Sequence, residues 1–125
     1  MKRTIISLII AIAIIIVGGV FELNNITCGY CELSEKLSKL LISAENETIT
    51  DTEFCEVFIF WTKLREESEV WLNHNDINEI NMRMAECESY IKKEDYEQAR
   101  MQINVMLFFA DYIPRSLRPT LQNIF

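Results

Sequence analysis

Residues 54–71 read FCEVFIFWTKLREESEVW. The first eight, FCEVFIFW, are aromatic and β-branched, the composition of a buried strand. A strand here would make the chain a mixed or all-β protein. The rest of the stretch does not fit one. KLREESE is charged, and Phe54, Phe58, Trp61, Leu64, Ser68 and Trp71 recur at three- and four-residue steps, with Val57 and Leu72 beside them. That period belongs to an amphipathic helix. Thr50-Asp51-Thr52-Glu53 ahead of it has the S/T-x-x-E form of a capping box, so a helix is predicted over about 51–72.

Downstream, Asn73-His74-Asn75-Asp76 breaks the pattern and supplies an N-cap. Ile77, Ile80, Met84, Cys87 and Ile91 then follow at steps of 3, 4, 3 and 4, the cleanest stripe in the chain. Lys92-Lys93 suits the negative end of that helix. Glu94-Asp95 reads as a tight turn, with Asp95 capping a helix from Tyr96 to about Tyr112. Its inner face is Tyr96, Ala99, Ile103, Met106, Leu107 and Ala110, with two alanines small enough to allow close approach. Ile113-Pro114 is predicted to end this helix. Pro119 would open a short last turn, folding Leu117, Leu121, Ile124 and Phe125 back on the rest. The segment YIKKEDYEQARMQINVML has the shape of one tetratricopeptide-like antiparallel helix pair, without the repeats of an array.

Upstream, Leu33, Leu37, Leu40, Leu41 and Ala44 mark an amphipathic helix over about 30–45, followed by a polar turn, AENETIT. Before it lies IISLIIAIAIIIVGGVF, residues 5–21, in which Ser7 is the only polar side chain. Thr4 to Leu23 is 20 residues, and at ~1.5 Å per residue such a helix spans the ~30 Å hydrocarbon core of a bilayer. Only glycines interrupt the path into the next helix, at ~1 kcal/mol each, so the two can be continuous. A cleavable signal peptide has the same layout, and Val17-Gly18-Gly19 resembles a weak cleavage site. The length of the run and the lack of an A-x-A triplet favour a retained anchor. Lys2 and Arg3 put its start on the cytoplasmic side.

All 19 acidic residues lie at or after Glu22, against 10 of the 12 basic ones, a balance of 10 − 19 = −9. That surface is unsuited to nucleic acid. The expectation is an all-α protein: a single transmembrane helix, residues 1–23, crossing the lipid bilayer through 4–23, then a small antiparallel helical bundle, residues 24–125, outside the cytoplasm. Its expected partners are an envelope protein or further copies of itself.

The start MKRTIISLIIAIAIIIVGG, the segment WLNHNDINEINMRMAECESYIKKEDYEQARMQIN and the ending IPRSLRPTLQNIF together resemble a small bacterial family, domain-of-unknown-function family 4363. The resemblance covers essentially the whole chain. It implies a membrane-anchored helical protein of a spore-forming type of lineage, and it implies no activity. The family pattern does not rest on Cys28 or Cys31.

Those two cysteines form Cys28-Gly-Tyr-Cys31. Dithiol oxidoreductases use C-x-x-C at a helix start, so a membrane-tethered thiol–disulfide oxidoreductase with this pair is the alternative function. No strand precedes the motif, and the only prolines are Pro114 and Pro119, so the thioredoxin-like setting is missing. Otherwise the pair is a local Cys28–Cys31 disulfide or two idle thiols. Cys55 and Cys87 read as core residues, either as buried thiols or as a Cys55–Cys87 bridge. Zinc would need Cys28 and Cys31 with two of Cys55, His74 and Cys87, which lack local spacing; neither metal nor cofactor is expected. His74, the only histidine, reads as a turn residue. Glu66, Glu67 and Glu69, with Glu86 and Glu88, read as solvated faces. No catalytic constellation is present, and the expectation is a protein that is not an enzyme. Phe60 and Phe108 fall off the helical stripes and are candidates for an exposed contact patch.

Overall fold

The computed structural model describes residues 1–124, with side chains through Leu117. Four helices make it up: α1 (Lys2–Glu45), α2 (Asp51–Ser68), α3 (His74–Lys92) and α4 (Tyr96–Ile124). α1 alone is 44 residues, about 66 Å long at 1.5 Å per residue. It crosses residue 23 without a break, so the apolar run and the first bundle helix are one rod. α1 packs on α2 and α4, α3 packs on the same two, and the backbones of the diagonal pairs do not come close among the described residues. With short connections at every corner, this is an up-down-up-down four-helix bundle closed by α4 on α1.

The core has a heptad register. Ile26, Tyr30, Leu33, Leu37, Leu40 and Ala44 are buried on α1, and Phe54, Val57, Trp61, Leu64 and Ser68 on α2. Ile77, Ile80, Met84, Cys87 and Ile91 are buried on α3, and Ala99, Ile103, Met106, Ala110 and Ile113 on α4. Every set advances by alternating threes and fours, the spacing of helices crossing at about 20° with knobs in holes. Phe58, expected in the core, is exposed instead and stacks on Phe54 at 6.2 Å. Strict alternation selects Val57, and the larger side chain yields to the register.

Caps fix the corners. The Thr50 hydroxyl accepts from the Glu53 N–H at 3.2 Å, Asn73 Oδ1 from the Asn75 N–H at 2.9 Å, and Asp95 Oδ1 from the Gln98 N–H at 3.3 Å. α1 and α3 end alike. The N–H groups of Glu47 and Thr48 donate to Ala44 and Ser43, and those of Glu94 and Asp95 to Ile91 and Tyr90. These are Schellman closures with glutamate where glycine is usual, at φ 56° for Glu47 and 58° for Glu94.

α4 departs from expectation at its far end. It does not stop before Pro114 but runs on by its backbone to Ile124, through both prolines. A proline inside a helix costs about 3 kcal/mol through a lost hydrogen bond and a clash with the preceding turn. Pro114 is buried, in a groove shared with Thr27, Cys31 and Ser34 of α1. Packing on α1 offsets the local penalty. The expected packing of Leu121, Ile124 and Phe125 lies outside the described residues.

Gly29 has a role in α1. A Cβ there would lie 2.5 Å from Leu64 Cδ1, so the missing side chain is what lets α2 approach α1 at this level.

Candidate functional site

Polar stitches tie neighbouring helices at the rim of the core. The Tyr30 hydroxyl donates to Ser68 Oγ at 3.3 Å, and Tyr30 meets Trp61 edge to face with centroids 6.2 Å apart. Burial pushes the Tyr30 phenol up to about 12, the Ser68 hydrogen bond only partly opposing it, so it remains a neutral donor. Trp61 Nε1 donates to Asn81 Oδ1 at 2.8 Å, and Arg83 Nη1 to Gln102 Oε1 at 3.1 Å. Trp61 and Ser68 lie on the stripe expected for α2, but the pairings themselves carry no local signal in the sequence, because the partners lie 19 to 38 positions apart.

The four cysteines are free thiols. Cys28 and Cys31 are exposed in the interior of α1, far from its N-terminus. The dipole effect of a helix end, on which a reactive C-x-x-C relies, is confined to the terminal turn. The two side chains also diverge. Cys28 lines a groove between α1 and α2 with Phe60, Lys63 and Glu67. Cys31 lines the groove between α1 and α4 with Asp111 and Arg115. Residues i and i+3 of a helix have Cβ atoms ~5–6 Å apart, and a disulfide needs ~3.8 Å. A Cys28–Cys31 bridge would therefore distort α1, and the oxidoreductase reading draws no support from this geometry.

Cys55 corrects the expectation of a core residue: it is exposed on α2, while Cys87 is wholly buried on α3. One side chain turns out and the other in, so a Cys55–Cys87 bridge does not fit. Burial alone pushes the Cys87 thiol up to about 12. Cys28, Cys31 and Cys55 are expected to alkylate in the native protein, with Cys87 reacting only in denaturant. Mass spectrometry of iodoacetamide-treated protein gives the count; a fourth native adduct contradicts the burial.

Among the described residues, no three of His, Cys, Asp and Glu come together as a metal site. His74 is exposed at the first position of α3. Glu69 faces Arg65 at 3.9 Å, Glu86 faces Arg83 at 3.3 Å, and Glu88 accepts from Lys92 at 3.0 Å. These are ordinary i,i+3 and i,i+4 pairs on a solvated face. The grooves between helices are open, with charged residues such as Lys36, Lys39, Glu53 and Glu56 on their walls. Small-molecule pockets are enclosed and mainly apolar.

What stands out on the surface is aromatic. Phe60 is not part of it, being half-buried with Lys36 Nζ 5.1 Å above its ring. Phe108 is 64% exposed, stacks on Tyr112 at 6.0 Å and meets Phe109 edge to face at 5.5 Å. Met101 and Val105 lead into it at heptad steps along the outside of α4. At the other end of the molecule, the apolar run of α1 is bare: none of its most apolar 18-residue window is buried inside the protein. This is one helix long and apolar enough to cross a membrane.

A family model described as a domain of unknown function, DUF4363, matches residues 17–124. The chain belongs to the DUF4363 family. The match takes in the whole bundle, both exposed cysteines of α1 and the end of the apolar run. DUF4363 carries no assigned activity. No curated protein and no solved structure matches the chain.

Proposed function

We propose that this DUF4363 protein is a single-pass membrane protein. α1 is retained in the bilayer through residues 4–23, with the N-terminus cytoplasmic and the bundle outside. The bundle is a non-catalytic module that holds another protein of the envelope, or a further copy of itself. The apolar run supports the anchor, since none of its most apolar 18-residue window is buried among the described residues. Lys2 and Arg3 ahead of it support the orientation.

The single observation that carries the contact role is the Met101, Val105, Phe108 and Tyr112 face of α4. It is a second heptad stripe on α4, with Met101, Phe108 and Tyr112 exposed and Val105 half-buried between them. Interface anchors are aromatic and commonly contribute about 2 kcal/mol or more each. A photoreactive side chain at position 105 is expected to capture a defined protein in intact cells. Phe108→Glu is expected to weaken that capture by about 30-fold, the equivalent of about 2 kcal/mol. The bundle should lose no more than the about 1 kcal/mol that the ring contacts of Phe108 with Phe109 and Tyr112 contribute, because the side chain is otherwise exposed. Equal capture with and without Phe108 would remove the face from the account.

A further inference from the structure

We propose that the α2–α3 corner, Val70 and Trp71, seats at the boundary between the headgroups and the hydrocarbon of the bilayer, so that the bundle rests on the lipid surface instead of standing away from it. The inference rests on the reading of α1 as a membrane anchor.

Two residues 52 positions apart carry the argument. The Trp71 ring comes within 3.7 Å of the point where a Cβ on Gly19 would lie. Gly19 belongs to the apolar run, three residues before Glu22, its first charged neighbour on that side. A bilayer core ~30 Å thick takes up about 20 helical residues, and the stretch 4–23 supplies that number with none to spare. Gly19 then lies at the outer edge of the hydrocarbon, about 6 Å below Leu23 at 1.5 Å per residue. A side chain touching α1 at Gly19 is at the lipid boundary, because α1 is one unbroken helix from the apolar run into the bundle.

The corner is suited to that depth. Val70 is 83% exposed and Phe21 67%, while Trp71 is an amphipathic ring of the kind that collects at membrane interfaces. Glycine at position 19 leaves the surface of α1 flat where the indole lies. Past Arg115, α4 runs on by its backbone for about 14 Å toward the same end of the bundle. Glu66, Glu67 and Glu69 flank the corner, and the phosphate layer of an anionic membrane would repel them. The lipid that fits is therefore zwitterionic.

The chain's two tryptophans make the test direct, since Trp61 is sealed in the core. The full chain is reconstituted in phosphatidylcholine vesicles brominated either near the headgroup or deep in the acyl chain. Shallow bromines are expected to quench one indole of the two, and deep bromines to quench it less. Trp71→Phe should leave an emission that neither lipid quenches. Gly19→Ile, which displaces the ring, should reduce shallow quenching without releasing the protein from the vesicles. Protein that floats with the vesicles yet shows no more quenching than Trp71→Phe overturns the inference and leaves the anchor standing. Protein that does not float with the vesicles sinks the anchor, and the inference with it.

Discussion

Trp61→Ala is expected to lower the stability of the bundle by about 3–5 kcal/mol, the range for deleting a fully buried large aromatic side chain. Trp61 is wholly buried and is the largest side chain in the core. It touches three helices' worth of structure: it lies on α2, meets the Tyr30 edge of α1, and its indole N–H donates to Asn81 of α3. The substitution leaves a cavity and removes the aromatic pair together. Asn81 Oδ1 is not fully orphaned, because Arg65 Nη1 also donates to it at 3.4 Å, so no further unsatisfied-acceptor penalty applies. A domain of this size has a total stability of about 5–15 kcal/mol, and the loss is a large share of it. Urea unfolding followed by far-UV circular dichroism measures the change. Phe58→Ala is the internal comparison. It is an aromatic of the same helix, three positions away but outside the register, and about 1 kcal/mol is expected for its stacking on Phe54. Equal losses from the two would mean that heptad register does not define this core.

The same register explains how much of the fold was legible in the sequence. Three-four spacing in Ile77, Ile80, Met84, Cys87 and Ile91 identified a buried stripe that the structure reproduces residue for residue. Capping signals at Thr50, Asn73 and Asp95 placed the helix starts, because a side chain bonding its own helix is a local event. Spacing alone is ambiguous on α2: Phe58 joins Phe54 to Trp61 by steps of four and three, Val57 by three and four, and the structure buries Val57. Ile26 and Tyr30 fall outside the stripe expected for α1 because the leucine run that marks it begins only at Leu33. The prolines of α4 were read by a local rule, and packing on α1 overrides it at Pro114. The candidate site was less legible for the same physical reason. Whether Cys55 faces water, whether Cys28 and Cys31 share a groove, and whether Trp71 reaches Gly19 all depend on contacts between helices. No local spacing encodes those.

Arginine placed at both Ile12 and Ile15 is expected to release the protein from membranes. These positions flank the midpoint of residues 4–23, and each is exposed on α1. An arginine at the centre of an inserting helix costs about 2.5–3.5 kcal/mol, and each lost isoleucine forfeits about 0.5 kcal/mol more. The pair therefore opposes insertion by roughly 6–8 kcal/mol. Few of the bundle's contacts should change, because its core starts at Ile26, more than two helical turns further on. Thermal melting of the released protein should therefore match that of the detergent-solubilised parent. Washing cell membranes in alkaline carbonate reads the result: parent protein stays with the pellet and the double variant moves to the supernatant. Replacing both positions by leucine, which keeps the apolar character, should leave the parent's behaviour intact. Sequencing the N-terminus of the membrane-bound protein separates an anchor from a removed leader, since cleavage near Gly19 would give a new start there. It would also delete the stretch of α1 against which Trp71 lies. A parent protein that washes out in carbonate would show that the bare apolar face of α1 is covered by something other than lipid.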